Sequence, residues 1–409
     1  MVKIGIDLRP LQSESRFRGI GGVLIQITNQ LLSHFDVAKN DIEVVFYQEA
    51  NDKFQQPSEL LTIPAGLKVT NFIVAESRTA DGAIAKSKKY LSKVDQLDTD
   101  SLDLFIQFDF KFGVPTRTKT VLIEHDLVLP IFWQLYYPRF IAKLPLAFLF
   151  NNPLISSLFK RLYTINRRKS VNAATKIVAI SNTTKRDLEN ILHVPANKIE
   201  VIYHGIEEIN TEANGKLVNF PTKPFLFFIG GTDGRREVDQ LVKAFDQLKA
   251  NGYDIQLALA GAHFKDINSI NEPKLMTAIE NSPYRADILL LGFVDAYTKA
   301  KLYEQTQAFV FPTLYEGFGL PILEAMQRGS LVVAYDNSVI REIGAEHVIY
   351  TQSGEELYAT LSAVLTMDVI ERENRLASAK AYSAGFTWDK AGQQYFNLIE
   401  EVINDGTKD

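Results

Sequence analysis

Short, almost uninterrupted apolar runs recur along this chain, separated by longer stretches whose apolar residues return at a helical period. The runs predict strands at Val2–Ile6, Glu43–Tyr47, Lys68–Val74, Asp103–Phe108, Thr120–Ile123, Lys176–Ile180 and Glu200–Tyr203. A second series predicts strands at Phe225–Ile229, Ile255–Ala260, Ile288–Leu291, Ala308–Phe311, Leu331–Ala334 and His347–Tyr350. A strand apolar at every position is one covered on both faces, as in a parallel sheet sandwiched between helices. Strand alternating with helix therefore predicts an α/β protein. Between the two series, residues 206–222 turn polar and carry Asn214-Gly215 and Pro221, the marks of a linker. The pattern divides the chain into a domain over 1–205, a second over 223–386, and a final helix over 387–404.

Composition changes this picture in only a few places. A chain of 409 residues is long for one domain and sufficient for two cores. The absence of cysteine excludes disulfides and thiolate metal sites and suits a reducing cytoplasm. No signal peptide is expected from Met1-Val-Lys-Ile-Gly-Ile-Asp, and no run of 18 apolar residues offers a membrane span. A net charge of −5 argues against general nucleic-acid binding. Yet residues 127–186 hold ten Lys or Arg and no Asp or Glu, interleaved with Phe132, Trp133, Tyr136, Tyr137, Phe148, Phe150 and Phe159. Aromatic and apolar faces mixed with cations describe a segment lying on an anionic membrane surface. The plainer reading is a core helix pair with a solvated basic face, or a subunit contact. The expected localisation is cytoplasmic, peripheral on the inner face of the membrane.

The most informative chemistry follows the strand Ala308–Phe311. Glu316, Gly317, Phe318, Gly319 and Leu320 lead into a helix that Pro321 opens, since proline's missing N–H has no intrahelical partner at a first helical position. The free N–H groups and positive dipole of a helix start make an anion site, and two glycines let a phosphate or sugar approach. Glu316 and Glu324 flank that start, and a carboxylate can accept two hydroxyls from one diol. A capped helix with no ligand would account for two glutamates alone, but not so easily for the whole string. After Phe225–Ile229, glycines at 230, 231 and 234 deliver Arg235 and Arg236, whose guanidinium groups suit a diphosphate. After Val2–Ile6, Gly19-Ile20-Gly21-Gly22 forms a glycine loop ahead of a helix from Val23 to about His34.

The string from Glu316 to Glu324 closely resembles the glutamate–seven–glutamate motif of family 4 glycosyltransferases, retaining enzymes of the GT-B fold. That resemblance extends from Ile4 to the last helix and implies two Rossmann-like domains facing each other across a cleft, the last helix packing back on the first. It implies that Glu316 holds a donor-sugar hydroxyl, Glu324 the ribose, and the backbone of Gly317, Phe318, Gly319 and Leu320 the sugar and phosphates. Arg235 and Arg236 would neutralise the leaving diphosphate, Arg236 standing where the family has lysine. Gly21 and Gly22 match the family's glycine loop, although members often carry Arg-Tyr at positions 22 and 23. Phe293 and Val294 resemble the loop bordering the nucleobase, and His125 the histidine beside the donor sugar. Glu124 is a further candidate acid; Gly205 resembles the interdomain turn. Asp98-Thr99-Asp100 lies in a polar stretch ahead of a strand and makes a poor metal site, so no metal and no cofactor beyond the nucleotide-diphosphate sugar are expected. The acceptor would be a glycan or lipid-linked glycan. Two other functions fit the same pattern: an epimerase or phosphorylase on this scaffold, and a non-catalytic subunit supporting a partner. The sequence leaves nucleobase, sugar, linkage and oligomeric state open.

Overall fold

A computed structural model of the chain describes residues 2–13, 19–35, 42–49, 57–74, 102–109, 114–115, 117–141, 152–207 and 219–405. Asp98, Asp100 and most of the polar linker lie outside the described residues. The chain forms two units, Met1–Gly205 together with Thr387–Asp409, and Ile206–Phe386.

The first unit is built on seven parallel strands: β1 (Val2–Asp7), β2 (Ile42–Glu49), β3 (Lys68–Val74), β4 (Leu104–Gln107), β5 (Thr120–Glu124), β6 (Lys176–Ala179) and β7 (Ile199–Val201). Their order is β3-β2-β1-β4-β5-β6-β7. Every residue of β4 and β5 is buried, as the apolar runs at 104–106 and 121–123 predict, and Gln107, Thr120 and Glu124 are buried with them. The first helix starts at Gly19, four residues before the expected Val23, so Gly21 and Gly22 stand in its first turn rather than in a loop. Each glycine costs a helix interior about 1 kcal/mol. Burial of Val23, Leu24, Ile27, Leu31 and Leu32 on one face outweighs that cost.

The helix Trp388–Asn404 completes this unit. Thr387 caps it by accepting from Lys390 N, and Phe396 meets the rings of His34 and Phe35 at 5.9 and 6.2 Å. At its far end Lys119 Nζ donates to the carbonyls of Val402, Ile403 and Asp405 at 3.0, 3.0 and 2.6 Å, a cation on the negative end of the dipole. The entry to the helix passes against Gly205, where a Cβ would stand 2.1 Å from Trp388 N. Gly205 is therefore a place of close backbone approach.

Within 127–186 the described helices are Val128–Ile131, Trp133–Ile141, Pro153–Ala173 and Asn182–Leu192. Asn152 caps the third by accepting from Leu154 N at 2.8 Å, with Pro153 in its first turn. Trp133 stacks on Tyr137 at 5.3 Å, donates to Ser156 Oγ at 3.0 Å, and shares a small apolar cluster with Phe159 and Tyr163. Ser181 caps Asn182–Leu192 through Thr184 N. Among the described residues no helix is long and apolar enough to cross a membrane.

The second unit has six parallel strands: β8 (Phe225–Ile229), β9 (Gln256–Ala260), β10 (Ile288–Gly292), β11 (Ala308–Phe311), β12 (Val332–Tyr335) and β13 (Ile349–Thr351). Their order, β10-β9-β8-β11-β12-β13, repeats that of the first six strands of the other sheet. β13 starts two residues later than expected, because His347 belongs to a 3₁₀ turn over Ala345–His347.

Candidate active site

In the second sheet the strand order turns back between β8 and β11. Ligands of doubly wound sheets gather outside the strand ends at such a point. From β8 the chain runs through Gly230 to Asp233 and the 3₁₀ turn Gly234–Arg236; from β11 it runs into the helix Leu320–Gln327. Leu314 N donates to Arg235 O at 2.8 Å, stitching the two loops together. A Cβ on Gly230 would stand 2.3 Å from Arg236 Nη1, so the glycine makes room for that guanidinium. Gly319, at the N-cap, has φ +101°, a left-handed conformation that suits glycine. Pro321 is the second helical residue, one later than expected, where its missing N–H is still among those without a helical partner.

The structure joins groups that the sequence analysis treats separately. Glu316 Oε1 lies 2.9 Å from Arg235 Nη1 and 3.2 Å from Arg236 Nε, and accepts from Thr313 Oγ1 at 3.3 Å. Arg235 Nε lies 2.9 Å from Asp233 Oδ1, and its Nη1 also donates to Tyr315 O. Two cations and two carboxylates thus share one largely buried group. Neither Asp233 nor Thr313 stands out in the sequence; both become visible only when the loops are brought together. Gly317, Phe318 and Gly319 are buried, and the Phe318 ring packs edge-on to Phe386.

Glu324, in the helix, is held from the neighbouring helix Ala296–Gln305. Lys299 Nζ stands 2.9 Å from Oε1, and Tyr303 Oη donates to Oε2 at 3.1 Å. Tyr303 is fully buried; burial, and then the Glu324 charge, keep its phenol well above the usual range, so it remains a donor. Lys299 and Tyr303, missed in the sequence, are four residues apart and share one helix face. Phe293 follows β10 and is 75% exposed.

In the first unit the strand order turns back between β1 and β4. At the end of β1, Arg9 makes a fork on Asp7, Nε to Oδ1 at 2.7 Å and Nη2 to Oδ2 at 2.8 Å, both side chains fully buried. Gly22 is exposed, with open space where a Cβ would lie, and the N–H groups of Gly19, Ile20 and Gly21 just before it have no intrahelical partner.

Glu124, a further candidate acid in the sequence, lies in a strand rather than a loop. It is the last residue of β5, buried, with Arg167 Nη2 2.6 Å from its Oε2. The same Nη2 donates to Asp126 O at 2.6 Å, so Arg167 grips the chain on both sides of His125. Burial alone would lower the Arg167 pKa, but the Glu124 carboxylate more than offsets it and keeps the guanidinium charged. The fork explains the buried Glu124 as a structural anchor.

The His125 ring lies 6.1 Å from that of His204, which lies 5.5 Å from Trp388. Burial, and then the charge His125 can carry, hold the His204 pKa well below the usual histidine range. The unfolded chain therefore takes up a proton near pH 6.5 that the folded chain refuses. His204's contribution to stability is complete above that pH and lost as pH falls below it, by about 1.4 kcal/mol per pH unit. His204→Phe is expected to flatten the acid limb by one proton, measured by urea unfolding at pH 7.5 and 5.5; unchanged pH dependence would show His204 to be charged in the fold.

Residues 107–208 match the family model described as Glycosyltransferase Family 4, and residues 210–381 that described as Glycosyl transferases group 1. The chain belongs to the family 4 glycosyltransferases. The chain is similar to an uncharacterized glycosyltransferase of Methanocaldococcus jannaschii, 25% identical over 255 residues, and to the serotype-specific mannosyltransferase WbdA of Escherichia coli, 24% identical over 409. These matches cover 58% and 94% of this chain but only 60% and 46% of those two proteins. Among solved structures, sucrose-phosphate synthase of Thermosynechococcus elongatus superposes with a TM-score of 0.71 at 14% identity, covering 98% of this chain and 99% of that one. Anabaena HepE, in complex with UDP and glucose, gives 0.66 at 16% identity over 98% and 100%. The two parallel-sheet domains of this family 4 chain have the GT-B fold.

Proposed function

We propose that this chain moves a sugar from a nucleotide-diphosphate sugar to a hydroxyl of a glycan or lipid-linked glycan, with retention at the anomeric carbon and without a metal ion. One observation carries the reading: Arg235 and Arg236 converge on Glu316 beside the start of Leu320–Gln327, at the switch point of the second sheet. That arrangement offers positive charge and backbone donors to a diphosphate, with a carboxylate beside them for a sugar hydroxyl.

In this reading the donor's bond from anomeric carbon to phosphate oxygen breaks as the acceptor oxygen bonds on the same face. The acceptor proton passes to the departing phosphate oxygen. Arg235, Arg236 and the helix start stabilise the charge that grows on the leaving diphosphate, the position where preorganised groups lower a barrier most. Glu324, oriented by Lys299 and Tyr303, accepts from the ribose hydroxyls. The exposed Phe293 and the backbone at Val294 border the base. Gly21 offers a first-turn N–H group and Gly22 leaves open space for the ligand beside it, and His125 is a sugar contact rather than a general base. The two guanidinium groups supply the cationic charge that a metal brings in other transferases, so chelator should leave transfer unchanged.

Mannosyltransferases recur among the relatives, which puts nucleotide-diphosphate mannose first among donors, and the UDP and glucose in HepE put UDP-glucose second. The relatives named for O-antigen chains favour a cell-surface polysaccharide as acceptor. The test is a thermal-shift panel of nucleotide sugars and free nucleoside diphosphates. A true donor at 100 times its Kd is expected to add about 2.7 kcal/mol of stability. A panel in which no nucleotide sugar or diphosphate raises the midpoint would overturn the proposal.

A further inference from the structure

The helix Pro153–Ala173 has two apolar faces. The inner one carries Phe159, Tyr163, Arg167 and Val171 and packs into the first unit. The outer one carries Leu154, Leu158, Leu162 and Ile165, which are 80%, 54%, 49% and 40% exposed. At about 100° per residue these four fall within an arc of about 80°, and the stripe runs about 16 Å along the axis. Arg161, Arg168 and Lys169, all exposed, fall in or beside the same arc. No acidic residue occurs anywhere from 127 to 186. A stripe of exposed leucines rimmed by cations is not explained by the inner packing and marks a surface that something covers.

Charge decides between the occupants. A second copy of this chain, docked symmetrically, would set one basic, acid-free face against another, and like charges facing one another oppose association. An anionic bilayer satisfies both features at once, since acyl chains take the leucines while head groups meet the guanidinium and ammonium groups. We propose that the outer face of Pro153–Ala173 docks on an anionic lipid bilayer. This does not rest on the proposed donor chemistry, because it is read without any transfer assay.

The experiment is co-sedimentation of the full chain with vesicles of phosphatidylcholine alone and of phosphatidylcholine with phosphatidylglycerol. Binding is expected at least about tenfold tighter with the anionic vesicles, from several cations each worth about fivefold. The pair Leu158→Ser with Leu162→Ser should weaken it about tenfold or more, as expected for two lost apolar anchors. Arg161→Gln and Arg168→Gln should each weaken it about fivefold. All four positions are exposed, so the melting midpoints should stay near that of the parent, and the arginine variants carry the test if the leucine pair does not fold. Equal binding to both vesicle types, no binding to either, or variants that bind like the parent would overturn the proposal. So would a concentration-dependent dimer in ultracentrifugation that the leucine pair abolishes while vesicles are ignored, which would assign the face to a second copy.

Discussion

Arg235→Ala is expected to lower transfer about 10²–10³-fold in kcat, the loss found when one preorganised group facing a developing negative charge is removed. The donor's Kd should change much less than kcat, because the diphosphate carries more charge in the transition state than in the bound sugar. The same substitution should cost stability. It takes a guanidinium from between Asp233 and Glu316, leaving two largely buried carboxylates to share Arg236. Breaking a buried pair by removing one partner costs about 3–5 kcal/mol, and the remaining arginine should hold the loss near the lower end. Arg235→Lys keeps the charge and loses the fork, so it should fall between the parent and the alanine variant. Steady-state kinetics and donor titration, read beside a denaturant melt, separate the two effects. Undiminished kcat in Arg235→Ala would remove Arg235 from the chemistry.

Arg167→Met is expected to destabilise the first unit by about 3–5 kcal/mol, because Glu124 stays behind as a buried carboxylate without its partner. For a unit of this size that corresponds to about 2–4 °C of melting temperature per kcal/mol. Replacing both partners with apolar residues, Glu124→Leu with Arg167→Met, should restore most of the loss, since a buried ion pair is often no more stable than a well-packed apolar one. Activity should not return with it. The double variant still lacks the donor to Asp126 O that holds the chain beyond His125. Stability recovered without transfer would mark Arg167 as a positioning residue; recovery of both would make it structural only.

These two arginines also show how unevenly the chain discloses itself. The central strands are legible because burial on both faces demands unbroken apolar runs, and β4, β5, β9 and β11 are buried at every residue. The glutamate pair and the adjacent arginines are legible because they lie in short loops directly after such strands. Helix limits are harder. The helix at Gly19 begins inside a glycine run whose local preference points to a loop, and only the buried face beyond Val23 overrides it. Long-range partners were not legible at all. Arg167 sits 43 residues from Glu124, and Lys299 and Tyr303 sit 25 and 21 from Glu324. Nothing local to a basic helix distinguishes an arginine that turns inward from its exposed neighbours Arg161 and Arg168. His204 likewise lay in a turn read for its glycine, and its burial against Trp388 depends on a helix nearly two hundred residues later.

The return of Trp388–Asn404 to the first sheet has a bearing on synthesis. Residues 206–386 form an uninterrupted segment that is all present once Phe386 is made, whereas the earlier unit still lacks Tyr395, Ile399 and Val402 from its interior. At about 5–20 residues per second, the unit that is translated first waits about 10–40 s after Gly205 for the residues that complete it. Lys119, made early, spends that interval without the helix end it will cap. The half that begins emerging first is thus the half that is completed last.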